Sequence, residues 1–242
     1  MSAKTTLMCY SASISFVFAL VGLSAALWIY LDPKQDSLIL LPLLFYTIME
    51  LLQTVQYFFV NQCSSSTNRF LTEIAYVLVI VQPLLWNLFF FLRCPQASSD
   101  RKIFLVGMVF AAVWILFNVT GRLLYLRRPR RRTRRNNRSV FSPPKNARYN
   151  ACTRRFKNDH LFWEWSSTEL YDFNANYLMY LMIWFLPALC SSRQVRYAGI
   201  LMGSALVGLG FSFLSGVKTF PSIWCFISIP IILSLVLFGG HR

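Results

Sequence analysis

The chain has 242 residues, 56% hydrophobic and only 14% charged, with a mean hydropathy of +0.48, yet 24 Lys and Arg against 9 Asp and Glu leave it at +15. A soluble domain of this size cannot cover so apolar a composition, and the abundance of Phe, Leu, Ile and Trp excludes disorder over most of the length. The charge must therefore be gathered outside the apolar part.

A span needs roughly 20 mostly apolar residues to cross about 30 Å of hydrocarbon. Seven stretches meet this: 8–31, 38–60, 70–92, 103–126, 168–190, 197–214 and 221–238. In lipid the backbone must satisfy itself, so these read as helices, and they lack the alternation of barrel strands. The predicted fold class is all-α, a polytopic integral membrane protein built as a seven-transmembrane-helix bundle. Helices 1–4 fall in residues 1–126, a polar and largely disordered loop in 127–167, and helices 5–7 in 168–242. No internal repeat argues for an inverted-repeat transporter.

The first span follows Lys4 and carries a small-residue site at Ser24-Ala25-Ala26, but its apolar run continues to Leu31, too long for a signal core. It is read as a retained anchor. In the second, Thr47, Glu50, Gln53, Thr54 and Tyr57 recur at helical spacing as one polar stripe. A charge at mid-bilayer costs about 2.5–3.5 kcal/mol on insertion scales, so Glu50 is expected to face the bundle interior. In the third, Glu73, Tyr76 and Asn87 lie near one face, and Gln82-Pro83 interrupts the helix ladder. In the fourth, Trp114, Asn118 and Arg122 follow at four-residue steps, with Arg122 expected to snorkel to the interface.

The connection after the fourth span opens with Arg127, Arg128, Arg130, Arg131, Arg132, Arg134, Arg135 and Arg138, eight arginines in twelve residues. From 127 to 160 it holds 13 basic residues and one acid, so most of the net charge sits here. Its simplest role is to hold this side in the cytoplasm, which puts the N-terminus there too and the C-terminus opposite. Binding of anionic lipid headgroups comes next, at about 1 kcal/mol per basic residue. Nucleic acid is not favoured as a partner, because the interleaved aromatics are sparse (Phe141, Tyr149, Phe156). The short loops point the other way. Three positives lie on the N-terminal side (Lys4, Arg69, Lys218) and seven opposite (Lys34, Arg93, Arg101, Lys102, Arg193, Arg196, Arg242). Asn137-Arg138-Ser139 in the loop is a glycosylation sequon.

The fifth span starts with a capping-box pattern, Ser166-Ser167-Thr168-Glu169, and Phe162, Trp163, Trp165 and Tyr171 suit the membrane interface. Asp172 and Asn176 stand near its entrance, either closing a cavity or wet at headgroup level. The sixth span carries Gly199-x-x-x-Gly203, expected to pack within the bundle. The seventh carries Trp224 and a mid-span Pro230. Six cysteines form no CxxC pair, and the histidines are His160 and His241 only, so neither a metal site nor a cofactor is expected. Cys94 and Cys190 share one side, where a disulfide between them is conceivable. No span holds Lys or His, which removes a retinal Schiff base and Ser–His chemistry. Enzymatic activity is not the favoured reading.

Four patches in order, Met8-Cys9-Tyr10-Ser11-Ala12, Pro42-Leu43-Leu44-Phe45 with Glu50, Gln82-Pro83 with Trp86-Asn87, and Trp224-Cys225-Phe226, resemble a family of seven-span proteins met in bacteria, microbial eukaryotes and large DNA viruses. The residue after the Glu, often Gly in that family, is Leu51 here. The resemblance implies a fold and a set of shared residues, and no activity. Two functions follow from the residues themselves. One is a small-solute or ion transporter or channel with an intramembrane cavity around Glu50, walled by Gln53, Thr54, Gln82, Asn87, Asp172, Asn176 and Trp224. The other is a non-catalytic structural or assembly protein whose Arg-rich loop binds anionic lipid or another polyanion.

Overall fold

The structure is a computed structural model that describes residues 11–127, 151–155, 160–165, 177–191, 195–215 and 220–238. The elements run α1 (Ala12–Leu31), a 3₁₀ turn (Ser37–Ile39), α2 (Leu40–Phe59), α3 (Ser66–Arg93), α4 (Asp100–Arg127), β1 (Ala151–Arg155), β2 (Leu161–Trp165), α5 (Tyr177–Leu189), α6 (Val195–Ser215) and α7 (Phe220–Phe238). Four stretches are long and apolar enough to cross a membrane: Ala12–Leu31, Ser37–Phe59, Ser66–Arg93 and Asp100–Leu124. Met179–Leu189 and Gly199–Gly208 are apolar but shorter.

Local chemistry sets the ends of these helices. Ser11 caps α1, its Oγ accepting from the Ile14 N–H at 3.3 Å, so the serine of the Met-Cys-Tyr-Ser-Ala patch has a structural task. Asp36 accepts from the Leu38 N–H at 3.2 Å and starts the turn into α2. Asn61, between α2 and α3, has φ 65°, a left-handed conformation that Asn tolerates better than most residues. Pro83 sits inside α3 without ending it, and the carbonyl of Pro83 accepts from Asn87 Nδ2 at 2.8 Å.

α3 is the central helix. It packs against α2, α4, α5 and both strands, while α1 lies on α2 and α7, and α6 on α5 and α7. Two glycines permit close approach. A Cβ on Gly22 of α1 would stand 2.2 Å from Thr47 Oγ1, and one on Gly107 of α4 would stand 2.2 Å from Asn87 Oδ1. The core is aromatic, with Tyr46, Trp86, Phe89, Phe90, Phe104, Trp184 and Trp224 almost wholly buried. The outward faces of α1 and α4 are apolar and exposed, among them Val17, Leu27, Val109, Phe110 and Leu116. In water this would be a large uncovered patch; against lipid it is a solvated surface.

Three expectations need correction. The stretch 127–167 is not one polar disordered loop, since Ala151–Arg155 and Leu161–Trp165 pair as an antiparallel hairpin with Thr153 opposite Trp163. Arg127 ends α4, and 128–150 lie outside the described residues. Cys94 and Cys190 are not joined in a disulfide; the disulfide instead joins Cys63, before α3, to Cys152 on β1. A Cβ added at Gly199 or Gly203 would meet no heavy atom within 4 Å among the described residues, so this small-residue face of α6 packs against none of them. The hydroxyl of nearby Ser204 turns back onto the carbonyls of Ile200 and Leu201, at 2.9 and 2.7 Å.

Candidate functional site

The polar residues of α2 form a buried row. Thr47, Glu50, Gln53 and Gln56 are all closed to solvent, with Glu50 at 0% exposure. They recur every three residues, so the row slants round the helix. Thr47 Oγ1 donates to its own helix at the Leu43 carbonyl (2.8 Å), and Thr54, half-buried beside the row, donates to the Glu50 carbonyl (2.8 Å). Gln53 Nε2 donates to Glu50 Oε1 at 3.2 Å. Glu50 Oε2 has no hydrogen bond among the described residues. Ser15 of α1 faces this carboxyl, yet its buried Oγ is also without a hydrogen bond there. Ser15 is thus the polar neighbour of this carboxyl across the α1–α2 seam, in a place where a weakly bonded polar group is expensive.

One turn away the interior is differently arranged. The Tyr46 hydroxyl accepts both Trp86 Nε1 (3.0 Å) and Trp224 Nε1 (3.1 Å), using its two lone pairs. Trp184 stacks on Trp86 with centroids 5.9 Å apart and meets Trp224 edge-on at 5.0 Å. Tyr180 lies against Trp184 and gives its hydroxyl to Gln82 Oε1. Asn87 Nδ2 bridges the Pro83 carbonyl and the Ile183 carbonyl at 2.8 and 3.0 Å, tying α3 to α5. Of the residues expected to wall a cavity, Glu50, Gln53, Gln82, Asn87 and Trp224 are all buried, but at two places: Glu50 and Gln53 are bonded to each other on α2, while Gln82, Asn87 and Trp224 meet residues of α5. They are closed, not lining a water-filled space: Asn87 is 0% and Trp224 1% exposed. Asp172 and Asn176 lie outside the described residues, as do the arginines from Arg128 to Arg138.

Three features escaped the sequence. The buried row continues to Gln56, not to Tyr57, and a strict three-residue step from Thr47 was its only signal. Arg122 does not snorkel. Its guanidinium grips Glu73 of α3 through both Nε (3.0 Å to Oε2) and an η nitrogen, beside the pair in which Tyr76 donates to Asn118 Oδ1 at 3.1 Å. The clue was one charge of each sign at matching depth on consecutive antiparallel spans. Trp163 is not an interfacial aromatic but is buried between α2 and α3, where its Nε1 donates to Gln56 Oε1 at 2.9 Å.

At the opposite end, Asp36 pairs with Arg93, which also donates to the Tyr197 hydroxyl at 3.1 Å and lies over its ring. Ser191 donates to Asp100 at 2.7 Å. These contacts tie the turns of that end together with an ion pair and hydrogen bonds, and among the described residues there no buried polar side-chain atom is left unmatched. Among the described residues no group of His, Cys, Asp and Glu could hold a metal ion.

No curated protein and no solved structure matches the chain. The model of one family, described as a family of unknown function, matches residues 13–238, nearly the whole length and from the first helix to the last. The chain belongs to that family, DUF5765.

Proposed function

We propose that this chain is a seven-span membrane protein that moves a small solute or ion across the bilayer, with Glu50 as the group that takes up and releases a proton or cation. The four long helices supply four spans, and α5, α6 and α7 supply three more once their flanking residues are included. The single observation that carries the reading is the Glu50 carboxyl itself. It is wholly buried at mid-span, its Oε1 accepts from Gln53, its Oε2 has no hydrogen bond of standard geometry among the described residues, and the Ser15 hydroxyl of α1 is its polar neighbour. A carboxyl kept only as helix glue would have both oxygens matched, because a half-satisfied polar network is worse than an apolar one. The closed interior corresponds to an occluded state, in which the row Glu50–Gln53–Gln56 leads from the membrane centre toward one face.

The test is proton flux in proteoliposomes holding the full-length chain and an entrapped pH dye. The wild type is expected to dissipate an imposed pH gradient and Glu50→Gln to lose at least about 90% of that flux. Equal flux in the variant overturns the reading. The dense aromatic packing around Tyr46 supports the second reading, a structural or assembly protein whose Arg-rich loop gathers anionic lipid. On that reading, deletion of 127–138 abolishes binding to vesicles containing phosphatidylserine while Glu50→Gln is silent.

A further inference from the structure

We infer that the β1–β2 hairpin is a plug on the non-cytoplasmic face of the membrane, in which Trp163 fills the space between α2 and α3 over the end of the Glu50 row and the Cys63–Cys152 bond holds it there. The inference builds on the reading of Glu50 above, but its two parts, the side and the seal, are testable without any transport measurement.

The side follows from covalent chemistry. The bond joins the α2–α3 turn to β1, 89 residues later in sequence. Forming it removes two electrons and two protons from a pair of thiols, and the acceptors are the disulfide-donating oxidoreductases of an oxidising compartment; cytosol keeps such pairs reduced. Both cysteines therefore stand outside the cytoplasm. The opposite end then faces the cytoplasm, and the charges there agree. Lys34, Arg93, Arg101 and Lys102 flank the short connections 32–39 and 94–99, and Arg193 and Arg196 follow α5. The hairpin end has Arg69 and Lys218 beside its short turns. This reverses the orientation expected from the arginine run, which lies in the long α4–α5 connection and crosses with the hairpin.

The seal follows from how the hairpin docks. Asn68 of α3 offers Thr153 what a third strand would. Its Oδ1 accepts the Thr153 N–H and its Nδ2 donates to the Thr153 carbonyl, both at 3.0 Å. Thr72 and Thr153 share a hydroxyl bond of 2.7 Å, and the Asn61 N–H reaches the same carbonyl at 3.0 Å. From this seat Trp163 enters the bundle. It packs with Met49, Leu52 and Ala75, so two of its neighbours bracket Glu50 on α2, and its indole caps Gln56. Lifting the hairpin would uncover Gln56 first.

The test uses the full chain with Cys9→Ser and Cys225→Ser in sealed vesicles of known sidedness, treated with an impermeant maleimide before and after an impermeant phosphine. The phosphine opens the S–S bond to two thiols and becomes its oxide, with the oxygen and both protons taken from water. Cys190 is expected to label from the cytoplasmic face without reductant. Cys63 and Cys152 are expected to add two adducts from the other face only, and only after reduction. Labelling of that pair from the cytoplasmic face overturns the side, and labelling without reductant overturns the bond. With Gln56→Cys added, or Gln53→Cys if that variant does not accumulate, a third adduct is expected from the outer face after reduction alone. The same third adduct before reduction, or none after it, overturns the seal. Loss of the Glu50 flux result with this labelling intact would sink the transport reading and leave the plug standing.

Discussion

Two environments lie one helical turn apart on α2. At Tyr46 a neutral hydroxyl takes two indole N–H groups, and the rings of Trp86, Trp184 and Trp224 close around it. At Glu50 an acid has one bonded oxygen and one left over. The first arrangement matches two indole donors to the two lone pairs of one hydroxyl, leaving Trp184 Nε1 without a bond among the described residues; the second leaves over an oxygen of a group that can carry charge. The difference separates residues that hold the bundle together from a residue whose burial the bundle tolerates. On the transport reading proposed above, Glu50 Oε2 is the atom at which a proton or cation would bind.

The contrast can be broken by measuring unfolding of the full chain in detergent or bicelles. Trp86→Ala is expected to be the most harmful, at about 2–4 kcal/mol. Lipid is as apolar as the core, so the transfer part of such a loss is small, and what remains is the cavity and the forfeited ring contacts. Gly22→Leu comes next, at about 1–3 kcal/mol, because the new side chain meets Thr47 where only a hydrogen now fits. Tyr46→Phe keeps the shape but leaves two indoles without an acceptor, and about 1–2 kcal/mol is expected, given the modest worth of hydrogen bonds between membrane helices. Glu50→Gln is expected to change stability by less than about 1 kcal/mol, in either direction, since the amide has the same volume and carries no charge. A Glu50→Gln loss as large as that of Trp86→Ala would erase the contrast and make the acid part of the scaffold.

The first four helices were legible to within a few residues because an apolar run of span length has few other uses. Their expected ends at 31, 60, 92 and 126 compare with Leu31, Phe59, Arg93 and Arg127. The same signal weakens over α5, whose described part is Tyr177–Leu189, shorter than the 168–190 stretch read from composition. The hairpin was not legible. Ala-Cys-Thr-Arg-Arg and Leu-Phe-Trp-Glu-Trp are too short and too mixed to announce strands, and their order comes from partners far away in sequence, Asn61, Cys63, Asn68 and Thr72. For the site, Glu50 was conspicuous as a lone acid at mid-span. Gln56 and Trp163 were not, since each looks ordinary until the other is beside it.

The Glu73–Arg122 pair has a consequence for how the chain enters the membrane. Each helix alone would present a full charge to lipid, at up to about 2.5–3.5 kcal/mol. As neighbours that pack along their lengths, α3 and α4 can bring the two charges in already joined. Insertion of these spans is then favoured as a unit, a helical hairpin leaving the translocation machinery together, and losing either charge strands its mate. Replacing Arg122 with a neutral residue would thus be read first in biogenesis, as poorer integration of α3, a helix in which nothing had been changed.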